Sequence, residues 1–448
     1  MTVPPIFERV AWVDPEALFL AGPAREEHAF WLDAGPAATT GWSWMGVGDR
    51  VAGWPGDVLL DDDPHTRVPG GFGGGWVGWA GYDGGARRAG APADDDPTAP
   101  DSAALAVSRL IAFDHGAREA WLIAPESEMT DAAADLRRWS EAAASHASRA
   151  AGPYPAPAAR RRDAHARHDP GQYAALIAQC RAAIRAGDAY QLCLTTRFDV
   201  AASDEPFDAV DTYLRLRAAL PAHHGGILRI GSHSLLSASP EQFLQVTGGI
   251  VRTRPIKGTR PRGADPETDA ALARDLAASE KERAENVMIV DLMRNDLQRV
   301  CAPGSVAAER LLEVESYPAV HQLVSTVAGR LLPGIRLADL FDAAFPAGSM
   351  TGAPKLSAMT ILHRLEGGPR GVYAGCFGWV GAHGALDLAM TIRSIVVHPA
   401  GAYVGAGGGI TWLSDADDEV AEVALKARGP LASLGARLPA AWLGVDGG

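Results

Sequence analysis

Cysteine is scarce: Cys180, Cys193, Cys301 and Cys376 are the only four in 448 residues, they lie far apart, and they form no CxxC pair. This spacing fits neither a zinc site nor a disulfide-framed secreted scaffold, so a reducing cytoplasm is the expected setting. Long apolar runs are missing too. No uncharged apolar stretch approaches the ~18 residues of a membrane span. The N-terminal "MTVPPIFERVAWVDPEALF" carries Glu8, Arg9, Asp14 and Glu16, which interrupt the apolar segment a signal peptide requires. Positive charge is not in excess either. The formal net charge of −13 argues against a nucleic-acid binder, whose footprint is a broad basic surface. What is present is a chain 47% hydrophobic and 21% charged, enough apolar material for a sizeable core.

Residues 1–147 mix short strand-like runs with Gly and Pro. "GGFGGGWVGWAGYDGG" (70–85) alternates glycines with aromatics, and a related pattern, "AGCFGWVGAHG" (374–384), returns late in the chain. Glycine at that density in a strand marks close backbone approach or bulges. Residues 148–171, rich in Pro, Ala and Arg, read as a linker or exposed loop. Beyond them the pattern predicts a helix ended by Gly187, a strand from about Tyr190, and an antiparallel meander through "GILRIG", "SLLSAS" and "EQFLQVTGGIVRTR". Helices follow near 280–293 and 354–365, strands at 372–380, 386–397 and 402–406, and a closing helix from about 415. Strands in runs and helices in runs predict an α+β fold.

Against the acidic background, "RTRPIKGTRPR" (252–262) sets one lysine among four arginines. A free lysine has a pKa of about 10.4, so only about one in 2,500 is neutral at pH 7. Neighbouring cations and partial burial would both disfavour the ammonium. From position and charge alone, Lys257 reads either as a nucleophile or as part of an ordinary basic strand.

Two Glu-x-x-Glu steps form a second pattern: Glu282 and Glu285, then Glu419 and Glu422. On helices these carboxylates face the same way, and two such faces suit a hard ion such as Mg²⁺. Capping competes with that reading, since Ser279 before Glu282 is a capping box and Ser414 before Asp417 a similar start. "GAGGGI" (405–410) lacks GxGxxG spacing and reads as a tight turn or as backbone open to an anion. "PAGSMTGAPK" (346–355) carries the same ambiguity.

Taken together, "GDAYQLCLT", "SASPEQFL", "RTRPIKGTRPRG", "KERAENVMIVDLMRND", "VHQLVSTV", "FPAGSMTGAPK", "MTIRSI" and "GAGGGI" resemble the chorismate-utilising enzymes, in that family's order. "GGWVGWAGYD" resembles the family's N-terminal region. The resemblance implies a two-lobed fold of antiparallel sheets flanked by helices, with residues 1–147 as the N-terminal region and 172–435 as the chorismate-binding region. Members that use water carry a lysine where this chain has Gln191, and anthranilate synthases typically read PIAGT where it reads "PIKGT". Gln191 with Lys257 therefore resembles the aminodeoxychorismate synthases, with anthranilate synthase component I and a non-catalytic chorismate- or amino-acid-binding relative as alternatives.

By resemblance, Lys257 is the nucleophile and Glu241 the general acid/base. Gln191, His321, Ser349, Arg393, Gly407, Gly408, Gly409 and Lys426 match substrate-binding positions. Mg²⁺ would be held by Glu285 and Glu422, with Glu282 and Glu419 in its outer sphere. No glutamine-amidotransferase region is evident, so ammonia is expected from solution or from an amidotransferase partner. Trp379 stands where many relatives have a tyrosine, which puts one substrate contact in question.

Overall fold

The computed structural model describes residues 4–60, 68–146, 162–202, 206–317 and 320–444. Two large, mainly antiparallel sheets dominate it, with helices against their outer faces. Six elements frame the site: β1 (Gln191–Ala201), β2 (Ile256–Pro261), α1 (Glu280–Gln298), β3 (Val320–Arg330), β4 (Gly401–Ile410) and α2 (Ala416–Ser433). The first sheet runs from Ile6–Val10 through Trp42–Val47, His28–Asp33, His224–Ile230, His233–Ser239 and Ser394–His398 to β4 and β1. The second runs from β2 through β3, Ile250–Thr253, Gln242–Thr247, Leu386–Met390, Cys376–Gly381 and Gly75–Ala80 to Ser102–Val107 and Asp49–Val51.

Each sheet draws strands from both sides of residues 148–171, so that segment divides the sequence without dividing the layers. Residues 148–161 of the expected linker lie outside the described residues. Its remainder holds the short strands Arg162–Asp163 and His165–Ala166 and the start of the Pro170–Ala186 helix, whose Asp169 cap and Gln172 form a capping box. The two aromatic-glycine patterns are direct neighbours: Gly78 pairs with Gly378 and Trp79 with Phe377. Phe30, Trp79, Phe377, Val396 and Tyr403 belong to one buried cluster that takes side chains from both sheets. All four cysteines are buried and free. Among the described residues no helix is long and apolar enough to cross a membrane.

One strand boundary differs from expectation because the chain changes sheets. The strand expected over 386–397 is two strands, Leu386–Met390 in the second sheet and Ser394–His398 in the first. Residues 391–393 carry the chain across the gap, and Arg393 takes φ +52, a left-handed conformation few side chains adopt. A matching crossing at Pro240 and Glu241 joins His233–Ser239 to Gln242–Thr247.

Candidate active site

The two crossings lie side by side: the Met390 N–H donates to the Glu241 carbonyl at 3.0 Å, and the Ala238 N–H to that of Arg393 at 3.2 Å. They place a carboxyl and a guanidinium between the sheets. Burial pushes the Glu241 pKa up to about 7, against the opposing pull of Lys257, Ser349 and Lys426. The Ser349 hydroxyl donates to Glu241 Oε1 at 3.2 Å. A carboxyl that titrates near neutrality can release and recover a proton at working pH. Arg393 is held below its usual pKa by burial, with Tyr373 and then Glu422 acting against it. It pairs with no carboxylate among the described residues, which leaves its planar fork for an anion.

Lys257 stands in a bulge of β2. Pairing with β3 shifts register between Ile256 and Thr259, and Gly258 takes φ +82. A Cβ at Gly258 would lie 2.9 Å from the Glu282 carboxyl carbon, so glycine permits α1 to pack here. Lys257 Nζ is 3.9 Å from Glu285 Oε2. Burial alone would lower its pKa, but Glu285 foremost, then Cys193, Glu241 and Glu422, outweigh that and raise it. The expectation that neighbouring cations disfavour the ammonium is therefore corrected. Arg252 pairs with Glu309, Arg254 with Glu315, Arg260 with Asp275 and Arg262 with Asp269. The arginines each have a partner of their own, Arg260 also reaching Glu282 at 3.8 Å, and carboxylates surround the lysine.

The two Glu-x-x-Glu steps fall on α1 and α2. Glu285 is raised by burial against the pull of Lys257, with Glu282 and Glu422 adding to the rise. Glu422 is half exposed at the surface of the helix, and against the desolvation it does meet, Lys426, Lys257 and Lys281 bring it below its usual value. Lys426 Nζ lies 2.5 Å from Glu422 Oε1 and donates to the Gly407 carbonyl at 2.8 Å. Glu419 accepts the Ser414 hydroxyl at 2.8 Å and is raised by burial and by Glu422. Glu282 lies 3.8 Å from Arg260. Ser279 caps α1, accepting the Glu282 N–H at 3.4 Å, but its own N–H goes to the Leu276 carbonyl, so the expected capping box is only half made. On α2 the cap is Asp415, because Ser414 is committed to Glu419.

Among the described residues no three His, Cys, Asp or Glu side chains converge closely enough to enclose an ion. Glu285 and Glu422 nonetheless sense each other across the gap. Such a donor set fits an ion of the Mg²⁺ type, which takes one or two carboxylates and fills its other positions with water or substrate oxygens.

The "GAGGGI" stretch is neither a turn nor a loop. It is the end of β4, paired with β1 from Leu192 opposite Ile410 through Arg197 opposite Gly405. Its glycines make a floor on which site side chains rest. A Cβ at Gly409 would lie 2.4 Å from Gln191 Nε2 and 3.4 Å from Lys257 Nζ, and one at Gly408 2.6 Å from Glu419 Oε2. Gln191 is fully buried, and neither its amide oxygen nor its nitrogen has a hydrogen-bond partner among the described residues. A buried orphan amide is costly, and this one sits beside Lys257.

His321 stands apart from this group. Its Nδ1 is 2.8 Å from the Ser316 hydroxyl and its Nε2 2.9 Å from Asp269 Oδ1, so both ring nitrogens are taken by protein partners. Trp379 also lies elsewhere. It stacks on Phe72 at 5.0 Å and lines a separate cavity of about 800 Å³ with Trp42, Trp44, His223 and Arg254. Sequence reasoning missed Tyr373, the phenol that acts most strongly on Arg393. Its signal was Gly405, where a Cβ would fall 2.1 Å from the Tyr373 ring.

The model of the chorismate binding enzymes matches residues 48–432. The chain is 44% identical over 378 residues to an aminodeoxychorismate synthase of Streptomyces pristinaespiralis, covering 83% of this chain and 52% of that one. It is 39% identical over 455 residues to anthranilate synthase component 1 of Streptomyces coelicolor, covering 94% and 86%. The solved anthranilate synthase component I of Streptococcus pneumoniae superposes with TM-score 0.70 at 29% identity, covering 96% of this chain and 93% of that one. The chain spans about half the length of the Streptomyces aminodeoxychorismate synthases it matches. Eight ordered motifs, two sheets joined by crossings at Glu241 and Arg393, and these likenesses agree: the chain belongs to the chorismate binding enzymes.

Proposed function

We propose that the chain is the chorismate-aminating component of an aminodeoxychorismate synthase, acting through a covalent bond to Lys257. The observation that carries this reading is a largely buried amine 3.9 Å from Glu285, set among groups of the site, while each arginine near it in sequence has a carboxylate partner of its own. Anthranilate synthases typically have alanine at that position, with no amine to offer.

Chorismate carries two carboxylates and a poor leaving group, the C4 hydroxyl. Arg393 binds a carboxylate through its fork, and Lys426, bonded to the Gly407 carbonyl of β4, would add a second cation. The Glu241 carboxylate takes a proton from the Lys257 ammonium, the neutral amine attacks C2, the ring double bonds shift, and the C4–O bond breaks as Glu241 passes that proton to the hydroxyl, which leaves as water. Ammonia then adds at C4, the double bonds shift back, and the C2–N bond breaks to return the lysine and leave 4-amino-4-deoxychorismate. Splitting one hard substitution into two easier ones is the advantage of a covalent route. Mg²⁺ held by Glu285 and Glu422, with Glu282 and Glu419 outside them, would offset the charge of the ring carboxylate. The orphan amide of Gln191 would hold the incoming ammonia or the substrate. Ammonia would come from a glutamine amidotransferase partner, in keeping with relatives named "component 1".

The test is incubation of the purified chain with chorismate, Mg²⁺ and an ammonium salt, followed by product identification. The 4-amino product is expected. Anthranilate as the sole product would overturn the reading.

A further inference from the structure

Lys257 and Glu285 come from elements far apart in sequence, and something must set the distance between them. Both elements are tied to one short stretch of β3. From α1, Asn286, the residue after Glu285 and fully buried, donates through Nδ2 to the Leu323 carbonyl at 3.2 Å. Its Oδ1 accepts the Ser325 hydroxyl at 2.5 Å. From the other side, the Ser325 N–H donates to the Pro255 carbonyl at 3.2 Å, two residues before Lys257. The same hydroxyl accepts the Leu312 N–H at 2.9 Å, at a point where the neighbouring strand shifts register and Leu312 takes φ +58. Every side-chain polar atom of the pair thus has a partner, the Ser325 hydroxyl two, and the amide orientation of Asn286 is fixed by a carbonyl on one side and a hydroxyl on the other.

We propose that Asn286 and Ser325 form a positioning pair that holds the Glu285 carboxylate and the Lys257 amine in register; the inference rests on the reading of Lys257 as nucleophile. Neither residue need touch substrate. Their effect is geometric: α1 cannot slide along β3 without breaking the Asn286 bonds, and the β2 bulge cannot shift without breaking the Ser325–Pro255 bond. Displacement of a reacting group by about 1 Å can cost up to ~100-fold in rate.

The experiment follows formation of the chorismate adduct on Lys257 by mass spectrometry, with ammonia withheld, and steady-state turnover with ammonium. Ser325→Ala is expected to slow adduct formation and kcat by ~10-fold or more, with the KM for chorismate within about 2-fold because no substrate contact is lost. Ser325→Thr keeps the hydroxyl and is expected to restore most of the rate. Ser305→Ala removes a buried-side hydroxyl bond at a remote turn of the same sheet; it should lower the melting temperature and leave kcat alone, which separates positioning from general loosening. Should Ser325→Ala fail to fold, Asn286→Ser, too short to span both bonds, carries the same test. Wild-type rates of adduct formation in Ser325→Ala or Asn286→Ser would overturn the positioning inference alone. A wild type that forms no adduct overturns the lysine chemistry and this inference with it.

Discussion

Segment 252–262 has two sides that share a sequence and part company in space. On one side Arg252, Arg254, Arg260 and Arg262 each meet a carboxylate within ion-pair distance. On the other, Lys257 turns inward at a bulge and faces Glu285 at 3.9 Å, with Glu241 and Glu422 also acting on it. The arginines hold the strand to its surroundings, whereas the lysine is left among groups that can do chemistry. Charge clustering in a sequence therefore does not mean charge clustering in the fold: side-chain direction and the supply of partners decide which cation stays available.

The comparison breaks most sharply at the lysine itself. Lys257→Ala should keep the fold, since it removes one amine and leaves the arginine pairs intact, and should abolish formation of the 4-amino product. It also recreates the PIAGT reading, opening C2 to ammonia, so a 2-amino product or anthranilate is expected in its place; chromatography against standards checks this. A wild-type rate of the 4-amino product would make Lys257 one more charge on a basic strand.

Next in size is the loss of the facing carboxylates. Glu285→Gln and Glu422→Gln should each reduce turnover by ~10–100-fold, and EDTA should abolish it in the wild type. Titration with Mg²⁺ measures the effect, and full activity of Glu422→Gln without added metal would contradict the assignment.

Glu241 gives a smaller and pH-dependent effect. The form that takes the Lys257 proton is the carboxylate, and its fraction rises as pH passes through about 7. Adduct formation should rise through that inflection in the wild type and lose it in Glu241→Gln, with a lower rate above pH 7. Stability should move the other way. A carboxyl raised from 4.5 to about 7 on folding destabilises the native state increasingly as pH rises through that window. Glu241→Gln should therefore melt higher than wild type at pH 8 and gain little at pH 5.

The smallest effect belongs to the other side of the segment. Arg252 is a partly exposed partner of Glu309, at 3.0 and 3.1 Å. Such pairs contribute about 0–1 kcal/mol, so Arg252→Ala should change kcat less than about 2-fold. A large loss there would mean that the arginines do act on the lysine.

Much of the α+β pattern is legible in the sequence because periodicity and punctuation are local. The Glu-x-x-Glu steps land on helices, and the "GWVGWA" and "CFGWVG" runs are strands that pair. The crossings are not legible, since a chain leaving one sheet for another at residues 391–393 carries no glycine, proline or other turn signal to mark the break. The role of "GAGGGI" is hidden for a similar reason: its glycines answer to Gln191, Glu419 and Lys257, all distant in sequence. His321 is carried over by motif, but its two nitrogens are engaged by Ser316 and Asp269, and only coordinates reveal that.

The central claim is that Lys257 bonds covalently to the substrate, and peptide mass spectrometry of the wild-type chain tests it most directly. With chorismate and Mg²⁺ present and ammonia withheld, the peptide containing Lys257 should gain the mass of chorismate less one water, and lose it again when ammonium is added. An unmodified Lys257 peptide under conditions where ammonium supports formation of the 4-amino product would contradict the account.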